Sequence, residues 1–310
     1  MDANKKKIAV ILNGKSGTAL DEEGQARLAR AFAGAGCEAE IVRASSGHAL
    51  RVLIERAAAS RPGVVVVGGG DGTLSTAAGV LAGSGVALGV LPLGTLNHFA
   101  KDLGIPDEIE AAVQAVTAGE RIEVDVAEVN GRVFINNSSL GLYPSIVRRR
   151  EILRQELPFA RGKGPALVWA TVLALRLAPL LEAELTFEGR THRLRTPFVF
   201  IGNNRYTVEG FTAGTREGLE DAELSVYTTT RQDRWGLVAL ALRALFGRLD
   251  GARDFRSASV RALQIHSRRS RLLVATDGEV QAMETPLTYR IRPRALAVMV
   301  PAAGERREAA

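Results

Sequence analysis

Cysteine is all but absent from this chain. Cys37 stands alone, so no internal disulfide can form, small disulfide-stapled scaffolds are excluded, and a reducing cytoplasm suits the protein. Aromatic residues are scarce at 5%, which leaves Leu, Val, Ile and Ala to build the core. Lysine is scarce too: six of the 40 basic residues are lysine and 34 are arginine, whose planar fork matches phosphate better than a point ammonium does. Long apolar runs are missing. Ile8–Leu12 is too brief for the apolar region of a signal peptide. Ala166–Leu181 is interrupted by Arg176 and Pro179, short of the roughly 20 clean residues of a membrane span.

What is present is the mix of a globular protein, 46% hydrophobic and 24% charged, which excludes disordered and collagen-like chains. The 310 residues, set against about 150 for a typical domain, predict two domains. A net charge of +6 with a pI near 9.8 suits nucleic acid, an anionic lipid surface or a phosphorylated substrate, and equally a set of solvated surface arginines.

The first 120 residues alternate strand and helix signals. Strands are expected at Lys7–Asn13, Cys37–Arg43, Val64–Val67 and Val86–Leu91, and helices at Glu22–Ala35, Gly47–Ser60 and Thr73–Leu81. This rhythm implies a parallel sheet covered on both faces. From Arg121 the texture changes. Asn130-Gly131 marks a hairpin between Arg121–Val129 and Arg132–Asn137, because that pair supplies the positive φ angles of a tight turn. Further strands are expected at Ala183–Phe187, Pro197–Ile201, Leu224–Thr230, Val260–His266, Arg271–Ala275 and Leu296–Val300, with helices at Ser145–Glu156, Pro165–Leu181 and Arg234–Gly247. The second half is thus mainly antiparallel β.

Three polar, glycine-bearing loops fall at the carboxyl ends of the predicted parallel strands, where such sheets bind ligands. Gly68-Gly69-Gly70-Asp71-Gly72-Thr73 follows a buried strand and opens a helix, a place where backbone N–H groups meet phosphate. It is not a dinucleotide fingerprint, since Thr73 occupies the third glycine position, and Asn13-Gly14-Lys15-Ser16-Gly17 is not a P-loop, since Ala9 stands where that motif needs glycine. Asp71 within a phosphate loop implies a bridging cation or water. The third loop is Pro92-Leu93-Gly94-Thr95-Leu96-Asn97-His98.

Gly69–Thr73 and Pro92–Ala100, with Asn13, Ser16-Gly17, Asp125 and Asp277-Gly278-Glu279, resemble the diacylglycerol kinase catalytic-domain family of lipid kinases, which includes the sphingosine kinases. The resemblance implies an N-terminal α/β nucleotide-binding domain, similar to that of NAD kinase, and a C-terminal, mainly antiparallel β-sandwich domain. The expected boundaries are 1–122 with a returning strand 293–301, then 123–292 for the lipid substrate, and a tail at 302–310. It also implies ATP and Mg²⁺, with Asn13, Ser16, Gly69, Gly70, Asp71, Gly72, Thr73, Thr95 and Asn97 holding the nucleotide. Glu279 becomes the general base, with Asp277, Asp71 and Asp125 in a metal–water network around it. A structural Mg²⁺ site is expected at Gly218, Asp221 and Glu223.

Two positions depart from the family pattern. His98 stands where a carboxylate is usual, and Ala222 where the structural site has glycine. Rival readings are an NAD kinase, whose Asn-Glu and Thr-Gly-Ser-Thr-Ala runs are missing here, and a catalytically retired lipid-binding module, for which only His98 speaks. The expected partner is a lipid at a membrane surface. A homodimer is admitted and nucleic acid is not; the expected location is cytoplasmic with reversible membrane attachment. Arg148-Arg149-Arg150 offers the charge for that attachment, each cation near an anionic leaflet contributing about 1 kcal/mol. Vesicle sedimentation should therefore show binding that rises with anionic lipid content and falls as salt is raised; equal binding to neutral vesicles at all salt concentrations contradicts this.

Overall fold

A computed structural model describes residues 6–14, 20–142, 144, 180–206, 216, 218–229 and 255–303. The helices expected at 145–156 and 234–247, Arg148–Arg150 and Ser16 lie outside the described residues, as does all but the end of the helix expected at 165–181.

The first half forms as the periodicity dictates. Strands β1 (Lys6–Asn13), β2 (Cys37–Ala44), β3 (Val64–Gly69) and β4 (Ala87–Pro92) lie parallel in the order β2-β1-β3-β4. Every residue of β3 and β4 is buried, the signature of strands covered on both faces. Helix α1 (Glu22–Gly34) starts where the Asp21 carboxylate accepts from the Gly24 N–H, and α2 (Gly47–Ala59) where Ser46 caps Ala49. Helix α3 (Asp71–Leu81) follows the glycine loop, and the short α4 (His98–Asp102) follows the second loop. Helix α5 (Ile109–Ala118), unassigned from the sequence, buries Ala112, Val113, Ala115 and Val116. It contacts α1, while α2 contacts α3. The chain leaves β1 for β2 on one side and then returns to β3 on the other. This switch point opens a crevice between the ends of β1 and β3.

The second half is built on a strand that belongs to both halves. β16 (Leu287–Val300) is 14 residues long, not the five expected from Leu296. Its end runs parallel to β4, and most of its length pairs antiparallel with β5 (Glu120–Val129). Through its start it continues the sheet into β13 (Ala262–Ser267), β8 (Leu181–Phe187) and the edge strand β9 (Arg190–Thr196). Leu296, Val298 and Val300 join the first apolar core, and Leu287, Tyr289 and Ile291 the second. The register shifts between Arg292 and Leu296, with Arg294 at φ 49°, a bulge that kinks the strand as it passes from one core to the other. A second, wholly antiparallel sheet has the order β12 (Phe255–Val260), β11 (Leu224–Thr229), β10 (Phe198–Asn203), β7 (Asn137–Gly141), β14 (Arg271–Thr276), β15 (Glu279–Glu284).

Two expected strands are each two strands in different sheets. Arg132–Asn137 divides into β6 (Arg132–Phe134), which pairs with β5 across the Asn130-Gly131 turn, and β7 in the second sheet. Val260–His266 likewise divides at Arg261 between β12 and β13. Ile135 and Val260, at the two crossings, are both buried and apolar, and the polar residues that follow them fit a continuing strand as well as a break, so alternation alone does not mark it. β9 escaped notice because Leu194 is its one large apolar residue, as suits an exposed edge. Leu181, expected to end a helix, opens β8.

Gly119 ends α5 where the chain turns against the end of β16. A Cβ there would overlap the backbone oxygens of Val300 and Ala115, although its φ of −77° is open to any residue. Gly119→Ala should therefore cost about 2 kcal/mol, read as a lower urea midpoint at unchanged slope.

Candidate active site

The end of β1 and the loops after β3 and β4 meet, as the parallel topology requires. Asn13 Nδ2 donates to the Thr73 hydroxyl at 2.8 Å, tying the first loop to the glycine loop. A Cβ on Gly70 would lie 3.2 Å from the Gly94 Cα, so the second and third loops approach through glycine backbone. Asn97, in the left-handed region at φ 51°, is buried. Its Oδ1 accepts from the Gly94 N–H at 2.9 Å, and its Nδ2 donates to Asp107 and to the Pro92 carbonyl. The amide is thus engaged in shaping the loop, whose tip leaves Thr95 and Leu96 exposed.

Three of the acidic residues singled out from the sequence hold backbone. Asp71 accepts from the N–H groups of His98 (3.2 Å) and Phe99 (3.0 Å), capping α4, and from Asn136 Nδ2 (3.1 Å). Asp277, at φ 47° in the turn between β14 and β15, accepts from Ile135 N (2.8 Å), Asn136 N (2.8 Å) and Asn137 N (3.1 Å). These are the amides that lose regular ladder partners where the chain changes sheets. Burial pushes the Asp277 carboxyl above the usual carboxylate range, against those amides and the Ser75 hydroxyl, which favour the charged form. Asp125 is fully buried, and accepts from Ala222 N (2.7 Å) and Arg294 N (2.8 Å). The structure therefore brings Asp71 and Asp277 onto one segment, Ile135–Asn137, and gives Asp125 to the bulge of β16 and the 219–222 turn.

Glu279 differs from all three. Its side chain is 59% exposed and pairs with Arg132 Nη2 at 2.6 Å. A Cβ on Gly72 would stand 3.2 Å from its Oε1, so this carboxylate overlooks the first turn of α3. Asn136, Arg132 and the buried Arg216 enter the site although the sequence did not single them out. The polar pair Asn136-Asn137, breaking an otherwise apolar strand, is the one signal that pointed there.

At the expected structural metal site, a Cβ on Gly218 would lie 3.3 Å from the Asp221 carboxylate, so these two are adjacent. The resemblance gives Gly218 and Glu223 to that site through their backbone carbonyls; the Glu223 carbonyl accepts from Asn204 N, and its carboxylate reaches Arg205 and Ser259. No group of three or more His, Cys, Asp or Glu among the described residues could hold a metal.

Residues 7–129 match the diacylglycerol kinase catalytic domain, and residues 157–300 match the YegS C-terminal NAD kinase beta sandwich-like domain. The class is that of the diacylglycerol kinase-like kinases. Over 307 residues the chain is 33% identical to a Pseudomonas aeruginosa protein named "Probable lipid kinase YegS-like", covering 96% of each. A Cronobacter sakazakii protein of the same name is 37% identical over 137 residues, 43% of this chain and 44% of that one. The chain belongs to this YegS-like lipid kinase family. Its fold is shared with a solved structure described as a diacylglycerol kinase from Bacillus anthracis str. Sterne, at TM-score 0.69, 18% identity and coverage of 96% and 98%. A second structure from that organism gives TM-score 0.72 at 21% identity, with the same coverage.

Ala222 sits at φ 56°, where an L side chain costs about 1–2 kcal/mol and glycine does not. Ala222→Gly should stabilise the chain by about 0.5–1 kcal/mol after the added freedom of the unfolded glycine is subtracted, measurable as a higher thermal midpoint.

Proposed function

We propose that this chain is an ATP- and Mg²⁺-dependent lipid kinase that transfers the γ-phosphate to a lipid hydroxyl, diacylglycerol-like or sphingoid, with Glu279 as general base. The placement of Glu279 over Gly72 carries this reading: it sets the one solvent-reaching acid of the motif beside the helix N-terminus that suits phosphate. An attacking hydroxyl must give up its proton as it meets phosphorus, and a carboxylate at that point can accept it. Arg132, paired with Glu279 at 2.6 Å, fixes where that carboxylate stands over the helix.

The donor set fits a cation that arrives with the nucleotide. Mg²⁺ is commonly held by one or two carboxylates together with substrate phosphates and water, and Asp71, whose oxygens already accept three hydrogen bonds, has little capacity beyond a water-mediated contact. At position 98 an imidazole stands where a carboxylate is usual, which removes an oxygen donor suited to Mg²⁺. Bound Mg²⁺ would offset the charge on the transferring phosphoryl group. Asn13, Thr73 and the Gly69–Gly72 backbone are the described groups placed to hold the phosphates, and Thr95 the exposed hydroxyl on the facing loop.

A lipid acceptor is supported by where the scarce aromatics lie. The chain has two Trp, four Tyr and ten Phe, 16 in all. Five of them lie at the second sheet in two groups: Phe198 with Phe255, ring centroids 6.1 Å apart, and Phe200 with Tyr206 and Tyr227, at 5.5 and 6.0 Å. The second group begins at the site, since the Tyr206 hydroxyl donates to the Asn136 carbonyl at 2.9 Å. No helix among the described residues is long and apolar enough to cross a membrane, so attachment at a surface, through the excess of arginine, completes the proposal.

The test is a kinase assay with labelled ATP against diacylglycerol, monoacylglycerol, sphingosine and NAD, with Mg²⁺ present and removed by chelation. Label should enter a lipid only when Mg²⁺ is present. Glu279→Gln should lower turnover at least a thousandfold while nucleotide affinity stays within about threefold. Labelling of NAD and of no lipid overturns the reading, and wild-type turnover in Glu279→Gln removes it as the base.

A further inference from the structure

Arg216 is an arginine with almost no access to water: its side chain is 1% exposed. Removing a guanidinium from water is costly unless its donors are met, and here four contacts meet them. Nε and Nη2 both donate to Asp102 Oδ2, at 2.7 and 2.5 Å; Nη1 donates to the Ile135 carbonyl at 2.5 Å; Nη2 donates to Asn136 Oδ1 at 2.9 Å. The group lies 6.0 Å from the Phe99 ring centroid and 5.8 Å from that of Tyr206, within the range of cation–π attraction. Burial pushes the Tyr206 phenol far above its ordinary range, so it stays a donor to the Asn136 carbonyl.

These contacts close a ring. Asp71 holds the first amides of α4; Asp102 ends α4; Arg216 joins Asp102 to Asn136; and Asn136 Nδ2 returns to Asp71 at 3.1 Å. The direction of the Asn136 amide follows from chemistry. Arginine is a donor only, so it must face the amide oxygen, and the NH₂ is then left to face the Asp71 carboxylate. The backbone of the same residue hangs on Asp277, two positions before Glu279. We propose that Arg216 is a positioning residue, which locks the Asn136 amide onto Asp71 and thereby holds the Glu279 hairpin in register with the two phosphate loops. An error of about 1 Å between a base and its target can cost a hundredfold in rate. A lysine keeps the charge but cannot span Asp102, Ile135 and Asn136 together.

The inference rests on the kinase reading, and its test separates the two. Arg216→Lys, Asn136→Ala and the double variant of the full chain are compared with wild type for kcat, for KM of ATP, and for amide exchange over 92–99 and 133–137. Each single variant should lose at least tenfold in kcat with KM for ATP within threefold, and the double variant should lose no more than the worse single. Exchange at Phe99 should quicken in both, while β1 and β3 stay protected. Unchanged kcat per folded molecule, or losses that multiply in the double variant, overturn the inference. If Arg216→Lys does not fold, Asn136→Ala alone decides by the same two readouts. A wild-type chain that phosphorylates no lipid overturns the kinase reading instead; the exchange at Phe99 then stands by itself, and unchanged protection there overturns the role of Arg216.

Discussion

The crossing of the chain from one sheet to the other at Ile135–Asn136 is the constraint on which the site depends. A chain that leaves one ladder before joining the next strands its N–H groups, and buried amides need acceptors. Asp277 supplies them, three amides on one carboxylate. Because Asp277 occupies a tight turn with Gly278 at φ 86°, the same solution fixes where the next strand begins, and so where Glu279 stands. Solving a hydrogen-bonding problem in the fold delivers a carboxylate to the first turn of α3.

The same economy recurs with the other acids. Asp71 caps the short helix after β4, and Asp125 joins the bulge in β16 to the 219–222 turn. Charged acceptors make stronger bonds to N–H groups than carbonyls do, which suits junctions where regular pairing fails. Glu279 is bonded to a side chain rather than to backbone, and so it is the acid of the set that holds no loop in place.

Much of this was legible without coordinates. The parallel order of the first half followed from β-branched runs alternating with amphipathic stretches, and the Asn130-Gly131 turn from the conformational freedom of its two residues. The glycine loop could be placed because glycine, aspartate and threonine in that order, between a buried strand and a helix, have few other uses. The divisions at Ile135 and Arg261 could not be read, since the apolar Ile135 and Val260 satisfy either core equally well. Edge strand β9 is polar or charged throughout but for Leu194, and no local pattern distinguishes it from a loop.

By itself the sequence determined the strand, loop and helix order of the first half, because local spacing governs where a strand ends and a helix begins. It also determined which acids stand in the motifs. Only the tertiary structure decided which backbone each buried acid holds, because hydrogen bonds between residues 27 to 169 positions apart leave no trace in spacing. Arg216 shows the difference most plainly. In the sequence it is one of 34 arginines; its burial, and the closing of a ring from Asp102 to Asn136, exist only once two distant segments have folded against each other.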